Sequence, residues 1–355
     1  MFQDFLERHN LKPQKLAVGV SGGADSLAAV LILNDELSKK GFQLVALTVD
    51  HGLRPSSANE AKFVENIMQK KGIEHHTLLW KGKKPKTGVE EAARQARYKL
   101  IADWCKKNNV SYLITAHHLF DQAETFFMRL YRGSGLDGLC GMKEKSQIEN
   151  LTILRPFLKT SPETFKTYLK KHRLSWVEDE SNSDENLLRV KIRRFLPILE
   201  QKTGISPLQI FETMSRLQLS RDYFTAKIQS LVQNNFKQWT PNALSCKKSF
   251  FEDQPQEIRY RLICYLLQTI AKADYQPEAQ KVLRLISKMQ CPGFKSATLG
   301  HCQISLKDEH LWFLPEKIPT GKYTPTLWKE YAKAHHFQKS PKIPAPLKRL
   351  LFNKH

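Results

Sequence analysis

Acidic residues are in short supply in this sequence. Its 355 residues hold 35 Asp and Glu against 56 Lys and Arg, a formal net charge of +21. That excess is larger than solubility needs and points to a polyanionic partner, with nucleic acid foremost. Long apolar runs are also missing. The most apolar stretch, residues 16–33, is broken by Ser21, Gly22, Gly23, Asp25 and Ser26, so it cannot span a bilayer and no membrane partner is expected. The first residues carry no basic segment followed by an apolar one, so no signal peptide is expected and the chain is read as cytoplasmic. The six cysteines, at 105, 140, 246, 264, 291 and 302, never form a C-x-x-C pair. This spacing excludes a disulfide framework and the usual zinc and iron–sulfur patterns, leaving reduced, mostly buried thiols as the expectation. There is no Walker A sequence, no H-E-x-x-H and no internal repeat.

What is there is enough to fold. Hydrophobic residues make up 41% of the chain, and the mean hydropathy of −0.46 suits a soluble protein of two or three domains. The first half alternates apolar runs with amphipathic stretches, the pattern of βαβ units on a parallel sheet. Strands are expected at 16–20, 44–49, 75–80 and 110–116, and helices at 26–39, 57–70, 89–107 and 121–131. Ser57 and Glu60 are spaced as a capping box. Phe126, Phe127 and Leu130 have the spacing of core residues. A run at 151–155, a helix opened by Ser161-Pro162-Glu163 and a polar loop at 178–186 follow. Residues 208–288 read as helical throughout, and short β pieces are expected near 297–299, 303–306 and 311–314. The last 39 residues hold nine Lys/Arg, one Glu and five Pro, which suggests an irregular basic arm.

The sharpest feature is Ser21-Gly22-Gly23-Ala24-Asp25-Ser26, between a strand and a helix. Adjacent glycines allow a tight turn that aims successive N–H groups into one concavity, and the helix N-terminus adds its dipole. The result is an anion nest in which Asp25 makes sense only if a metal ion or a backbone group neutralises it. Asp50-His51-Gly52-Leu53-Arg54 follows the second strand, where parallel sheets bind ligands. Arg94 and Arg97 stand three apart on one helix and could clamp phosphate oxygens. His117, His118, Asp121 and Glu124 follow the fourth strand; Asp121 and Glu124 share a helix face that suits an ammonium group. Gly133-Ser134-Gly135-Leu136-Asp137-Gly138 matches G-x-G-x-x-G, but it follows a helix rather than a strand, so a dinucleotide site fails on context.

The nest resembles the S-G-G-x-D-S signature of the PP-loop ATP pyrophosphatases. Adding Asp50–Arg54, Glu91–Tyr98, Ala116–Thr125, Arg129–Gly141, Arg155-Pro156, Trp176–Asn182 and Arg189–Arg193, the chain resembles the tRNA(Ile)-lysidine synthetase family over about residues 14–200. The resemblance implies an α/β fold: a parallel-sheet, adenine-nucleotide alpha-hydrolase-like (PP-loop) catalytic domain over 1–205. A mainly helical tRNA-binding domain with a short β piece would occupy 206–316, and a basic tail 317–355. It implies a ligase that uses ATP and Mg²⁺ to adenylate carbon 2 of the wobble cytidine in the CAU anticodon of tRNA(Ile), releasing pyrophosphate. Free L-lysine then displaces AMP, which changes the codon read from AUG to AUA. Carried over by position, Ser21, Gly22, Gly23, Ala24, Asp25 and Ser26 hold ATP, with Asp25 on the metal. Asp25, Asp50, Arg97, His117 and Asp121 form the catalytic group. Asp121 and Glu124 hold lysine, and Arg94, Arg132, Arg189 and Arg193 face the tRNA. A homodimer is left open.

Two departures stand out. Phe120 occupies the first Asp position of the family's H-x-x-D-D-Q, and Val190 replaces the Asn usual after Arg189. Many members also carry a further C-terminal β-rich domain, for which the basic tail is too short. The alternatives are a sulfur-inserting PP-loop enzyme, disfavoured by the scattered cysteines, and a basic RNA-binding protein with a degenerate nucleotide loop, disfavoured by the intact nest.

Overall fold

The apolar runs of the first half become the middle of a six-stranded sheet in this computed structural model, which describes residues 2–82, 84–148, 150–178, 187–271, 277–317 and 344–352. Strands β1 (Lys15–Gly19), β2 (Gln43–Asp50), β3 (Glu74–Leu79), β4 (Tyr112–Ile114), β5 (Lys145–Ile148) and β6 (Leu151–Leu154) lie in the order β3-β2-β1-β4-β6-β5. All neighbours are parallel except β5 and β6. The expected α/β class is therefore met, with one antiparallel edge strand that the sequence reading did not anticipate.

The near-continuous apolar strands are explained by cover on both faces. On one face Leu16 and Val18 of β1 and Leu44 and Ala46 of β2 pack under α2 (Ala24–Leu37), α7 (Pro162–Lys171) and α1 (Phe2–Arg8). On the other, Ala17, Val45 and Leu47 meet Tyr98, Ile101, Ala102 and Cys105 of α4 (Val89–Lys107). The strand order reverses direction between β1 and β4. Loops leaving the carboxyl ends of those two strands diverge there and open a crevice.

The helix α3 (Ser57–Lys70) has the expected bounds, but not the expected capping box. Ser56 is the N-cap residue and bonds Glu60 through its side chain, while the Ser57 hydroxyl donates to the Arg54 carbonyl. On α5 (Leu119–Tyr131), Phe126 and Phe127 pack inward as expected, whereas Leu130 is 49% exposed. Between them α6 (Leu136–Leu139), α8 (Leu188–Thr203) and the long α9 (Pro207–Asn235) complete the run of helices.

The chain divides into two compact units, 1–218 and 219–355. The second is not helical throughout 208–288. Strands β7 (Lys237–Thr240) and β8 (Ala243–Lys247) interrupt the helices and join β9 (Ser296–Leu299), β10 (Cys302–Lys307) and β11 (His310–Pro315) in an antiparallel sheet ordered β7-β8-β11-β10-β9. Alternation along β11 sorts its two faces. Leu311 and Phe313 join the core built by α10 (Gln256–Ala271) and α11 (Ala279–Gln290), while Trp312 and Leu314 pack with Leu347 and Leu351. Leu347 and Leu351 belong to a helix, Ala345–Phe352, where an irregular arm was expected. The rest of the basic tail and most of the polar loop at 178–186 lie outside the described residues. Among the described residues no helix is long and apolar enough to cross a membrane.

Candidate active site

The nest forms where β1 ends. Gly22 adopts φ +88°, and a Cβ there would stand 3.3 Å from Val64 and 3.4 Å from Val177, so the position demands glycine in both conformation and space. Gly23 begins α2 with no side-chain cap, which leaves the first-turn N–H groups aimed into the crevice. The loop is tied from within: the Ser26 hydroxyl accepts the Ser21 N–H at 3.0 Å, lies 3.1 Å from the Ser21 hydroxyl and donates to the Gly23 carbonyl at 3.2 Å. It is also tied from outside, because the Val177 N–H donates to the Gly22 carbonyl at 3.0 Å.

A cavity of about 350 Å³ opens over this loop. Its walls bring together Ser21, Gly23, Asp25 and Ser26 from the nest, Asp50 from β2, Arg94 and Arg97 from α4, and His117 and Asp121 from the β4–α5 junction. These residues come from four separate segments. Gly22 and Ala24 belong to the loop without lining the cavity, and Glu124, Arg132, Arg189 and Arg193 also lie off its walls.

Two histidines at the junction divide the work. Burial pushes His117 down to about 4, despite the Asp121 carboxylate nearby, so its ring is neutral at ordinary pH and hydrogen-bonds the Thr115 hydroxyl at 2.8 Å. His118, which the sequence reading gave no role, caps α5: its Nδ1 accepts the Asp121 N–H, and its own N–H donates to Asp121 Oδ2. Its Nε2 lies 3.5 Å from both Asp25 Oδ2 and Asp121 Oδ2. Burial alone would lower its pKa, but Asp25, Asp121 and Glu124 outweigh burial and raise it. His118 thus links the nest to the first turn of α5. No spacing rule separates it from its neighbour; only the extended backbone at position 118 turns it inward.

Asp121 and Glu124 are buried, at 8% and 1% exposure, and both are already paired. Arg189 donates to Asp121 Oδ1 and Glu124 Oε2 at 2.5 Å each, and Arg193 donates to Glu124 Oε1 at 2.7 Å. Burial would raise the Asp121 carboxyl, yet His118, Arg189 and His117 overcome it and hold Asp121 below the usual carboxylate range. The two arginines, expected to face outward to tRNA, therefore have an internal task as counterions. Their side chains remain more than 40% exposed.

Other motif residues serve the frame. Arg155 donates to the Lys143 carbonyl and the Ser146 hydroxyl, both at 2.9 Å, fastening β5 to β6. The glycine run after α5 is packing: Arg129 donates to the Gly138 and Gly141 carbonyls, and a Cβ on Gly141 would fall 1.9 Å from Met214. Burial pushes the Cys105, Cys246 and Cys302 thiols up to about 12, which keeps them protonated and unreactive.

A family model described as a PP-loop domain matches residues 1–199. The chain is similar to the tRNA(Ile)-lysidine synthase of Wolbachia pipientis, 34% identical over 344 residues that cover 92% of this chain and 78% of that one. It is similar to the tRNA(Ile)-lysidine synthase of Hyphomonas neptunium at 32% identity, covering 86% of this chain and 83% of the relative. Among solved structures it is similar in fold to the U34-tRNA thiolase NcsA of Methanococcus maripaludis, with a TM-score of 0.53 and 21% identity over 61% of this chain and 75% of that one.

Proposed function

The chain belongs to the tRNA(Ile)-lysidine synthase family of PP-loop proteins, and we propose that the cavity over its nest carries out the two steps of lysidine formation. The observation that carries this reading is the convergence of the nest, Arg94 and Arg97, and the buried Asp121 carboxylate on one crevice at the switch point of the sheet. ATP lies with its phosphates on the N–H groups of Ser21–Ser26 and the α2 N-terminus. Arg94 and Arg97 neutralise the remaining phosphate charge from the opposite wall. The wobble cytosine, turned out of a single-stranded loop, attacks the α-phosphorus through its O2, forming a C–O–P link as pyrophosphate leaves.

The amine of lysine then adds at carbon 2, the C–O bond to AMP breaks and the amine gives up its proton. Asp121 and Glu124 hold the incoming amine, which exchanges with Arg189 and Arg193 as these turn to tRNA phosphates. His117 enters neutral, so it offers the amine an acceptor nitrogen rather than a competing positive charge. Fixed dipoles of the nest, in place before reaction, supply most of the rate enhancement.

Asp25 fits a hard divalent cation such as Mg²⁺. Its carboxylate is 42% exposed beside the phosphate nest. One carboxylate plus phosphate oxygens is a usual donor set for Mg²⁺. When bound, the ion supplies charge neutralisation at the departing pyrophosphate.

The test is an assay with ATP, Mg²⁺, lysine and a CAU-anticodon tRNA(Ile). AMP, pyrophosphate and lysine-bearing tRNA are expected in equal amounts. Release of ADP, or no transfer of lysine, overturns the reading.

A further inference from the structure

The seam between α5 and α8 continues past the ion pairs, and its far end bears on how the tRNA is held. Contacts along it rise together in both helices: Asp121 and Glu124 meet Arg189, Glu124 meets Arg193, and the Phe127 ring meets Phe195 edge-on at 5.9 Å. The two helices therefore advance in the same direction. One helical turn beyond Phe127 and Phe195, the next rung is Tyr131 and Ile198. It should close the seam as a hydrophobic contact, yet Tyr131 is 77% exposed and Ile198 54%, with Phe195 behind them at 44%. Arg132 and Arg194 flank this open rung on exposed positions. The rung lies about 15 Å from Asp121 along α5 at 1.5 Å per residue.

We propose that Tyr131 is a stacking platform for an unpaired base of the anticodon loop beside the cytosine that enters the cavity. The proposal deepens the reading above and rests on it. A row of guanidiniums leading to an exposed aromatic ring matches the chemistry of single-stranded nucleic acid, whose phosphates take the cations and whose base faces take the rings. Asp121, which lines the cavity, and Tyr131 belong to the same helix. A ring 77% exposed on a helix end adds little to folding and is open to a partner.

The experiment compares the full chain with Tyr131→Ala and Tyr131→Phe for affinity toward tRNA(Ile), measured by anisotropy across a salt series. Loss of one stacked base weakens Tyr131→Ala by about tenfold or more, and Tyr131→Phe restores affinity. The slope of log affinity against log salt stays at the wild-type value, because stacking releases no counterions, whereas Arg194→Gln lowers the slope. Thermal unfolding of Tyr131→Ala is expected to match wild type. Wild-type affinity in Tyr131→Ala overturns the platform, as does a changed salt slope. Loss of a dimer on substitution also overturns it, because Tyr131 would then serve a second copy of the chain. If Tyr131→Ala still forms lysidine with unaltered affinity, the platform alone has failed and the function stands. Failure of the wild-type chain to form any lysidine overturns the function instead.

Discussion

Asp25 and His117 meet the same cavity with opposite electrostatic demands. Asp25 has the His118 ring 3.5 Å away on one side and is still 42% exposed beside a nest built for anions, which leaves room for a cation to join it. Asp25→Ala is expected to abolish AMP release while tRNA affinity, measured separately, stays within about threefold of wild type, since phosphate contacts elsewhere dominate that affinity. An equal loss of both would make Asp25 a structural residue. His117 is the reverse case, a base forced to stay neutral. Between its free value near 6.5 and its folded value of about 4, the unfolded chain takes up a proton that the folded chain refuses. Its contribution to stability is therefore complete above about pH 6.5 and declines as pH falls toward 4. His51, held down to about 4 by burial and then by Arg97, acts in the same sense. Urea midpoints taken from pH 7 to pH 4 are expected to fall less steeply in His117→Gln than in wild type.

At the scale of elements, α5 and α8 depend on each other through a carboxylate that no solvent reaches. Glu124 spends both oxygens on arginines, so removing one guanidinium leaves a buried charge half matched. Arg193→Gln is expected to destabilise the chain, and adding Glu124→Gln to recover part of the loss. A double-mutant cycle in urea then gives a coupling of about 0.5–3 kcal/mol, toward the lower end because Arg193 is partly exposed. Additive effects would show that the pair contributes nothing. This pairing was beyond the reach of pattern reading. The spacing of Asp121 and Glu124 and of Arg189 and Arg193 is helical in each case, but nothing local states that two helices more than 60 residues apart meet on those faces. The nest was legible because its signature lies within six residues, although its clasp to Val177 was not. The same contrast explains β7 and β8, whose Lys and Gln positions face out and whose short apolar set reads equally well as a helix turn.

For the whole molecule, the +21 charge suggested a loose cationic arm at the end of the chain. Part of that end is instead a core element, because Leu347 is fully buried against Trp312, Leu314 and Ala243. Leu347→Ala is expected to cost about 2–5 kcal/mol of stability in the second unit, read from circular dichroism and tryptophan fluorescence during unfolding in urea. A change confined to tRNA affinity would return the segment to the status of an arm. Charge composition reports the partner, whereas the alternation of β11 decides what folds; only the second required knowing that the strand has two covered faces.

The hydrogen bond from Val177 to Gly22 has a consequence in time. Ribosomes deliver the chain from its N-terminus, so the glycine loop leaves the exit tunnel early and its clasp only 155 residues later. At about 5–20 residues per second that interval is roughly 8–30 s. During it the nascent protein owns the letters of a nucleotide site without the site itself, and ATP cannot help to fold what has not yet been fastened.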